Sequence, residues 1–241
     1  MKVRLLGVGM GPQHLTVEVA DALRSCDYVI AASKTDNDEL LAIRQAICDD
    51  HDVELVAVPD PLRDREPVDY PATVAAWHDA RAAAYAEVIG ERGGTAAFLV
   101  WGDPSLYDST IRVVERVAES VGAEWDVLPG VSAPSLLAAR HRIVLHQVGQ
   151  PVHITSARRL RDALAHGQTN LVVMLGNEAD LTALTELTQW SIWWGANLGT
   201  VSEELVSGRV TEALSDLLAA RARAKQAAGW VMDVYLLRAP V

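Results

Sequence analysis

KVRLLGVGMGPQHLTVEVADAL, residues 2–23, decides the fold of this chain because a glycine-rich turn joins two different hydrophobic patterns there. The apolar run at 3–9 predicts a buried β-strand, and the spacing of apolar residues over 14–24 predicts an α-helix. Gly7, Gly9 and Gly11 occupy alternate positions where the first pattern gives way to the second. Such turns let backbone N–H groups come close to a bound ligand. The stretch therefore predicts a strand, a candidate ligand-binding turn and a helix.

The rest of the first half repeats this alternation. Apolar runs predict strands at 27–33, 53–59, 95–101 and 123–129. Amphipathic segments predict helices at 36–48 (with Asp36 as its cap), 72–91 and 105–121. The proline-containing segment 60–71 predicts a loop. Strands that alternate with helices indicate a parallel α/β sheet with right-handed crossovers.

The pattern changes at 130–150, which we interpret as the passage into a second domain. Strands are then predicted at 152–157, 170–176, 191–197 and 230–238, with helices between them and a last helix over 210–225. The fold class is therefore α/β, with two α/β domains. We place the N-terminal domain at 1–140 and the C-terminal domain at 141–241.

Composition narrows the classes of function. Half of the 241 residues are apolar and 22% are charged, so the chain can build a sizeable core. The net charge of −11 argues against a nucleic-acid partner, although a few local arginines can still bind a small anion. The two cysteines have no zinc-binding spacing, which indicates reduced thiols and no metal. With no cleavable leader pattern and no membrane-spanning apolar run, we expect a soluble, cytoplasmic protein without a membrane partner.

The first turn does not match a dinucleotide site well. Its spacing is G-x-G-x-G, whereas the dinucleotide fingerprint is G-x-G-x-x-G with an acidic residue after the second strand. The second strand ends in Ala-Ala-Ser at 31–33, without a carboxylate. A tight turn with no ligand explains this loop at least as well as an NAD site.

Two further turns follow predicted strands of the same sheet. Gly102-Asp103-Pro104 follows the strand at 95–101, and the segment LPGVSAPS (128–135) follows the strand at 123–129. Taken alone, Asp103 is better explained as a helix-capping residue. Three turns at the carboxyl ends of parallel strands nevertheless form a crevice in which α/β proteins bind ligands.

These motifs together resemble the tetrapyrrole (cobalamin-pathway) methyltransferase family. The resemblance spans the chain and rests on a set of short motifs: G-x-G-x-G with Leu15-Thr16, Gly-Asp-Pro, Pro-Gly-Val-Ser, VVMLGN (172–177), and ANLGT (196–200) followed by Glu203. It implies two α/β domains of the tetrapyrrole methylase type with the active-site cleft between them. It further implies S-adenosyl-L-methionine as methyl donor, a precorrin substrate and a homodimer.

The resemblance also implies site residues by position. Contacts to the methyl donor fall on Trp101, Gly102, Asp103, Leu106, Ser132, Ala133, Met174, Leu175 and Gly199. Contacts to the tetrapyrrole fall on Gly9, Gly11, His14, Arg142 and Arg158. One departure is Met10, since many members of the family have proline before the third glycine.

Three longer stretches, at 98–113, 141–160 and 229–238, resemble a branch of the family that couples methylation to the loss of an acetyl group. Methyl transfer needs alignment of donor and acceptor, whereas acetyl loss also benefits from a base. Candidate groups are Tyr107, Asp108 and His141, with His14 as a fourth. For each a structural role is an equal or better explanation: Asp108 as a helix cap, His141 on a solvated helix end, and His14 at the start of the first helix.

Local arginines are the candidates for binding the substrate carboxylates, since guanidinium groups pair with carboxylates. They lie beside the third turn, after a C-terminal strand and in the proline-containing loop, at Arg140, Arg142, Arg158, Arg159, Arg161, Arg63 and Arg65. Ordinary surface charges remain an equal explanation. Trp190, Trp193 and Trp194 are better explained by a core or dimer interface than by a tetrapyrrole platform.

Three alternatives remain open at the level of sequence. The protein could be a different methyltransferase of the same pathway, which acts at a different carbon of the tetrapyrrole ring. It could also be a paralogue that keeps the donor site without turnover. A dinucleotide-dependent oxidoreductase is disfavoured by the spacing of the first turn.

Overall fold

A computed structural model describes residues 1–33, 39–62 and 69–240. The chain divides into two compact units, Met1–Val131 and Ser132–Val241. This division lies before the predicted boundary at 140/141, because the helix Ala133–His141 packs against strands of the second unit.

The first unit is built on a five-stranded sheet in which every pair is parallel, in the order β3-β2-β4-β1-β5. The strands are β1 (Lys2–Gly7), β2 (Tyr28–Ser33), β3 (Glu54–Pro59), β4 (Thr95–Val100) and β5 (Glu124–Leu128). The helices are α1 (Val17–Arg24), α2 (Glu39–Asp49), α3 (Tyr70–Arg92) and α4 (Thr110–Val121). The predicted parallel α/β sheet is confirmed.

Helices cover both faces of this sheet, which explains why its central strands show no polar alternation. On one face, Leu5 and Phe98 pack with apolar residues of α3 and α4. On the other face, Leu6 and Leu99 pack with residues of α1 and α2. Cys26 and Cys48 are free thiols in that second core, and burial raises their pKa values to about 11 and about 12.

The second unit has a mixed five-stranded sheet in the order β6-β7-β10-β8-β9. Its strands are β6 (His153–Ser156), β7 (Asn170–Met174), β8 (Ser191–Ala196), β9 (Glu204–Arg209) and β10 (Asp233–Arg238). Its helices are α5 (Ala133–His141), α6 (Leu160–Ala165), α7 (Glu178–Thr182) and α8 (Val210–Ala228). Only β6 and β7 pair in parallel, and β10 runs antiparallel to both β7 and β8.

One core holds the second unit together, and Trp194 and Tyr235 are its largest fully buried side chains. Trp190 packs against the edge of this core, and Arg238 lies 5.3 Å from the ring centre of Trp193. These contacts agree with the structural explanation of the three tryptophans.

Several predicted elements differ in the structure. The helix predicted over 105–121 begins only at Thr110, because the turn after β4 continues to residue 109. The first helix begins at Val17, after a separate 3₁₀ turn at Pro12–His14. Strand β9 was not predicted, and no bounds were predicted for helix α5, at whose end His141 was expected. The proposed cap Asp36 lies outside the described residues, as do Arg63 and Arg65. In the described part of the chain, no helix has the length and apolar character to cross a membrane.

Candidate functional site

The turns that follow β1 and β4 are joined through their backbones. The N–H of Gly102 donates to the carbonyl of Gly9 over 2.8 Å, and the N–H of Gly9 donates back over 3.2 Å. A side chain at Gly7 would lie 2.5 Å from the backbone nitrogen of Gly130, in the turn after β5. The predicted meeting of three turns at one edge of the sheet is therefore confirmed, and contact between them requires glycine.

Asp103 ties the second turn to the third. One of its carboxylate oxygens accepts the N–H and the hydroxyl of Ser105, and the other accepts the N–H of Gly130 over 3.1 Å. Burial alone would raise the pKa of Asp103, but these hydrogen bonds outweigh it and lower the pKa below its usual value. The side chain does not cap α4, which begins seven residues later at Thr110.

The first turn contains three of the residues considered for substrate or donor binding. Gly9 has a positive φ of 64°, and a side chain there would meet the Cβ of His14 at 2.5 Å. The N–H of His14 donates to the carbonyl of Gly11 over 3.0 Å, which closes the 3₁₀ turn. Met10 is buried, with 6% of its surface exposed. His14 therefore stands before the first helix as part of the turn, packed on Gly9.

The segment that leads from the second turn to α4 presents Leu106, Tyr107 and Asp108. Tyr107 has a left-handed backbone with φ 52°, and 45% of its surface is exposed. Burial of part of the ring raises the pKa of its phenol. Asp108 accepts the N–H of Thr110 over 2.6 Å and, with Trp101, lines a cavity inside the first unit. Asp108 thus accepts the N–H of the first residue of α4, whereas the N-cap position itself is Ser109, whose side chain makes no capping hydrogen bond.

In the second unit, Ser132 and Ala133 lie at the start of α5. The hydroxyl of Ser132 accepts the N–H of Ser135 over 3.3 Å and caps the helix. At the other end of α5, Arg140 donates to both oxygens of Glu203, at 2.9 and 3.1 Å. Glu203 also accepts the N–H of Gly199 over 2.7 Å. Arg140 thus positions the Gly199 turn through Glu203.

The carboxyl ends of β6, β7 and β8 lie at one edge of the second sheet and hold three predicted donor contacts and one predicted substrate contact. Leu175, directly after Met174 of β7, has φ 59° and is 63% exposed. Gly199 lies in the turn after β8, and Arg158 follows β6. An exposed leucine held in a left-handed turn is an uncommon arrangement, and such backbones concentrate at ligand sites.

Asn197 holds the turn after β8 and was missed by the sequence analysis. It is fully buried with φ 48°. Its side-chain carbonyl accepts the N–H of Met232 over 2.9 Å, and its amide donates to Ser202 and to the carbonyl of Trp230. The available signal was a polar residue directly after a buried strand, inside the ANLGT motif.

His141 and Arg142 end helix α5. Nε2 of His141 lies 3.0 Å from the carbonyl oxygen of Trp194, so this nitrogen carries the proton and donates it. His141 is half-buried rather than on a solvated helix end. Arg142 is exposed and has a left-handed backbone with φ 54°. Arg161 and Arg158 line a groove of the second unit, and Arg159 pairs with Asp162 on the surface.

Comparison with known proteins places the chain in a family. The family model described as tetrapyrrole (corrin/porphyrin) methylases matches residues 2–214. The chain belongs to this family. It is 41% identical to a precorrin-6A synthase [deacetylating] of Sinorhizobium, across 98% of this chain and 95% of that protein.

Solved structures agree with this assignment. The cobalamin synthesis related protein CobF of Corynebacterium diphtheriae is 36% identical, with a TM-score of 0.84 and coverage of 99% of this chain and 98% of that chain. The uroporphyrin-III C-methyltransferase of Thermus thermophilus, solved in complex with S-adenosylhomocysteine, has a TM-score of 0.60 at 18% identity, over 99% and 97% of the two chains. Because the Thermus protein is only 18% identical, its similarity shows the fold alone.

The structure therefore groups the residues that the sequence singled out into two sets. The first unit brings together the turns with Gly9, Gly102 and Asp103. The second unit brings Leu175, Gly199 and Arg158 to one sheet edge. In the described residues no cluster of three His, Cys, Asp or Glu side chains suited to a metal ion is found.

Proposed function

We propose that the protein is an S-adenosylmethionine-dependent C-methyltransferase of aerobic cobalamin biosynthesis that converts precorrin-5 to precorrin-6A with release of acetate. The observation that carries this proposal is the 41% identity to a precorrin-6A synthase over nearly the full length of both chains. The family of tetrapyrrole methylases to which the chain belongs supports the reaction type.

The strand-end turns fit a nucleoside ligand without a phosphate site. Gly102 and Gly9 have positive φ angles and carry no side chain that would keep a ligand from the backbone. Exposed apolar surface for a flat base is offered by Leu175 and, in the first unit, by Tyr107. When bound, S-adenosylmethionine supplies an electrophilic methyl group on sulfur. The predicted donor contacts of this chain would bind and orient it.

The precorrin carboxylates need cations in a protein of net charge −11. Arg142 is exposed, and Arg158 lies at the sheet edge beside the predicted donor contacts, so we propose both as substrate ligands. Arg140 is a weaker candidate because Glu203 already occupies its guanidinium group. Gly9, Gly11 and His14 would form the floor beneath the macrocycle.

For the proton transfers, Tyr107 and Asp108 are the better candidates of the three proposed catalytic residues. Tyr107 presents an exposed phenol beside the second turn. Asp108 lines a cavity inside the first unit. His141 donates Nε2–H to a backbone carbonyl, which leaves only Nδ1 as a base.

Other properties of the proposal come from the family resemblance. We propose that the enzyme is a cytoplasmic homodimer and uses no metal. Size-exclusion chromatography with light scattering tests whether the protein is a dimer. Metal analysis, together with an activity measurement after chelator treatment, tests whether it works without a metal.

The reaction itself is tested by incubating the purified protein with precorrin-5 and S-adenosylmethionine labelled in the methyl group. We expect one labelled methyl group in the product and one acetate per turnover. A labelled product that keeps its acetyl group would instead indicate a methyltransferase for another ring carbon. Binding of the donor without any product would indicate a paralogue without turnover.

A further inference from the structure

The first unit contains a cavity of about 240 Å³ beside the turn after β4. It is lined by residues of β2, β4, α2, α3 and the start of α4. Its polar lining residues are Arg44, Arg81, Tyr85, Trp101, Asp108 and Thr110. This volume accommodates a short acyl group together with a water molecule.

Two residues that line this cavity carry neutral hydrogen-bond donors, Trp101 and Tyr85. The indole Nε1 of Trp101 is buried and has no hydrogen-bond partner among the residues that the structure describes. Tyr85 is 5% exposed and packs its ring 5.0 Å from that of Phe98. Burial raises the pKa of Tyr85 and outweighs the opposite effect of Arg81 and Arg44. The phenol therefore stays protonated. A buried donor without a partner costs free energy unless a ligand satisfies it.

Charged groups surround these donors in fixed positions. Nε of Arg44 donates to the carbonyl of Leu99 over 3.1 Å, and its guanidinium lies 5.6 Å from the centre of the Trp101 ring. Arg81 is neutralised by a bidentate pair with Asp60, at 2.6 and 2.9 Å. Asp108, which also lines the cavity, uses one carboxylate oxygen for the N–H of Thr110.

Donors, a cation and a carboxylate around a small volume are what the hydrolysis of a carbonyl compound needs. We propose that this cavity binds the acetyl group of the substrate and then the acetate, with Tyr85 and Trp101 donating to its oxygen, Arg44 facing the developing anion and Asp108 accepting a proton from water. This inference rests on the proposed conversion of precorrin-5, and it assigns the cleavage to a cavity that Trp101 and Asp108 of the second turn share with Arg44 of α2 and Tyr85 of α3.

The bonds balance as follows. Water attacks the acetyl carbonyl carbon and gives one proton to Asp108, while the carbonyl electron pair moves to the oxygen held by Tyr85 and Trp101. The C=O bond then re-forms and the bond from the acetyl carbon to the macrocycle breaks, with its electron pair left on the macrocycle. Over the whole reaction that pair forms the bond to the methyl group. Acetate leaves, and two protons are released.

Conservative variants in single-turnover experiments test the cavity. Tyr85→Phe removes one donor, and Asp108→Asn removes the base but keeps an oxygen for the Thr110 N–H. The matched control is Tyr28→Phe, which removes a hydroxyl that donates to Gly93 at the opposite edge of the same sheet. Acetate is measured by isotope-labelled mass spectrometry, and the affinities for precorrin-5 and S-adenosylhomocysteine are measured by calorimetry.

We expect acetate release at saturating substrate to slow about tenfold or more in Tyr85→Phe and about 100-fold or more in Asp108→Asn. Both affinities should stay within about twofold of wild type, and Tyr28→Phe should release acetate at the wild-type rate.

Unchanged acetate release in both cavity variants would overturn the inference. So would variants that lose only substrate affinity, because the cavity would then bind another group of the macrocycle. If the wild-type enzyme releases no acetate from precorrin-5, the proposed function itself is wrong, and the acetyl assignment fails with it.

Discussion

Asp103 shows how one side chain connects two turns that are distant in the sequence. Its two carboxylate oxygens accept hydrogen bonds from Ser105 and Gly130, and so the turns after β4 and β5 are held together. Sequence analysis offered a donor contact or a helix cap for Asp103. The structure adds a third role, since the carboxylate itself organises the backbone on which the proposed donor site depends.

We expect Asp103→Ala to destabilise the protein by about 1–3 kcal/mol, because the N–H of Gly130 and the Ser105 groups lose their acceptor. Chemical denaturation at neutral pH measures the loss, and Asp21→Asn on the exposed face of α1 is the control. A variant that unfolds like wild type would contradict the role of Asp103 in the turns.

The same carboxylate predicts a pH dependence. Its native pKa lies below the usual value, so its stabilisation is complete above the unfolded-state pKa of about 3.9 and is lost as the pH falls through the native pKa. Wild type should therefore lose its stability advantage over Asp103→Asn below about pH 4. Denaturation curves of both proteins over a pH series measure this. An advantage independent of pH would exclude the charge as its cause.

Gly130 and Gly90 give opposite predictions for the same substitution. A Cβ at Gly130 would clash with the carbonyl oxygen of Gly102 and lie 2.6 Å from the carbonyl carbon of Gly7. At Gly90 on α3 it would meet no atom within 4 Å. We expect Gly130→Ala to cost about 3 kcal/mol or more, and Gly90→Ala to stabilise by about 0.5–1 kcal/mol. Thermal and denaturant unfolding of both variants measure these changes. Equal effects of the two substitutions would show that the turns are loosely packed.

At the scale of elements, two loops of the second unit are held by asparagines in different ways. Asn177 is an exposed N-cap of α7 with a complete capping box, in which Asp180 accepts the Asn177 N–H. Asn197 is buried and connects the turn after β8 to Met232, the residue before β10. A buried amide with several hydrogen-bond partners contributes more to stability than an exposed cap does. When the amide is removed, its buried partners cannot bond to water instead.

We therefore expect Asn197→Ala to destabilise by about 2–4 kcal/mol, and Asn177→Ala by about 1 kcal/mol. Asn197→Ala should also weaken the binding of S-adenosylhomocysteine, because it releases the Gly199 turn. Equilibrium unfolding and calorimetry of both variants test the pair. Equal stability losses, or normal ligand affinity in Asn197→Ala, would contradict this assignment.

At the scale of the whole molecule, each unit supplies its own set of predicted ligand contacts at the carboxyl ends of its strands. A ligand that binds only the native protein stabilises it by about 2.7 kcal/mol at a hundred times its Kd. We expect S-adenosylhomocysteine to raise the unfolding temperature by several degrees, and NADH to leave it unchanged. Differential scanning calorimetry measures both. A response to NADH with none to S-adenosylhomocysteine would exclude a methyl-donor site.

Much of the fold was predictable because hydrophobic patterns report which faces are buried. The six residues of β4 and the alternation of strands with helices predicted the parallel sheet of the first unit. The glycine spacings and short motifs predicted the family, which the comparisons confirmed. Those signals lie in residues close together in the sequence, so they can be recognised without knowledge of the tertiary contacts.

Only the tertiary structure decided the details on which the candidate site depends. The late start of α4 follows from Asp103 and Asp108, whose hydrogen bonds hold an irregular turn where the local pattern favours a helix. The cavity of Tyr85 and Trp101 is assembled from five elements, namely β2, α2, α3, β4 and α4. By itself, the sequence determined most of the strands and helices and the family that they form, although it did not predict β9 or the start of α4. Hydrogen bonds and cavities between distant residues depend on packing, and no local pattern encodes them.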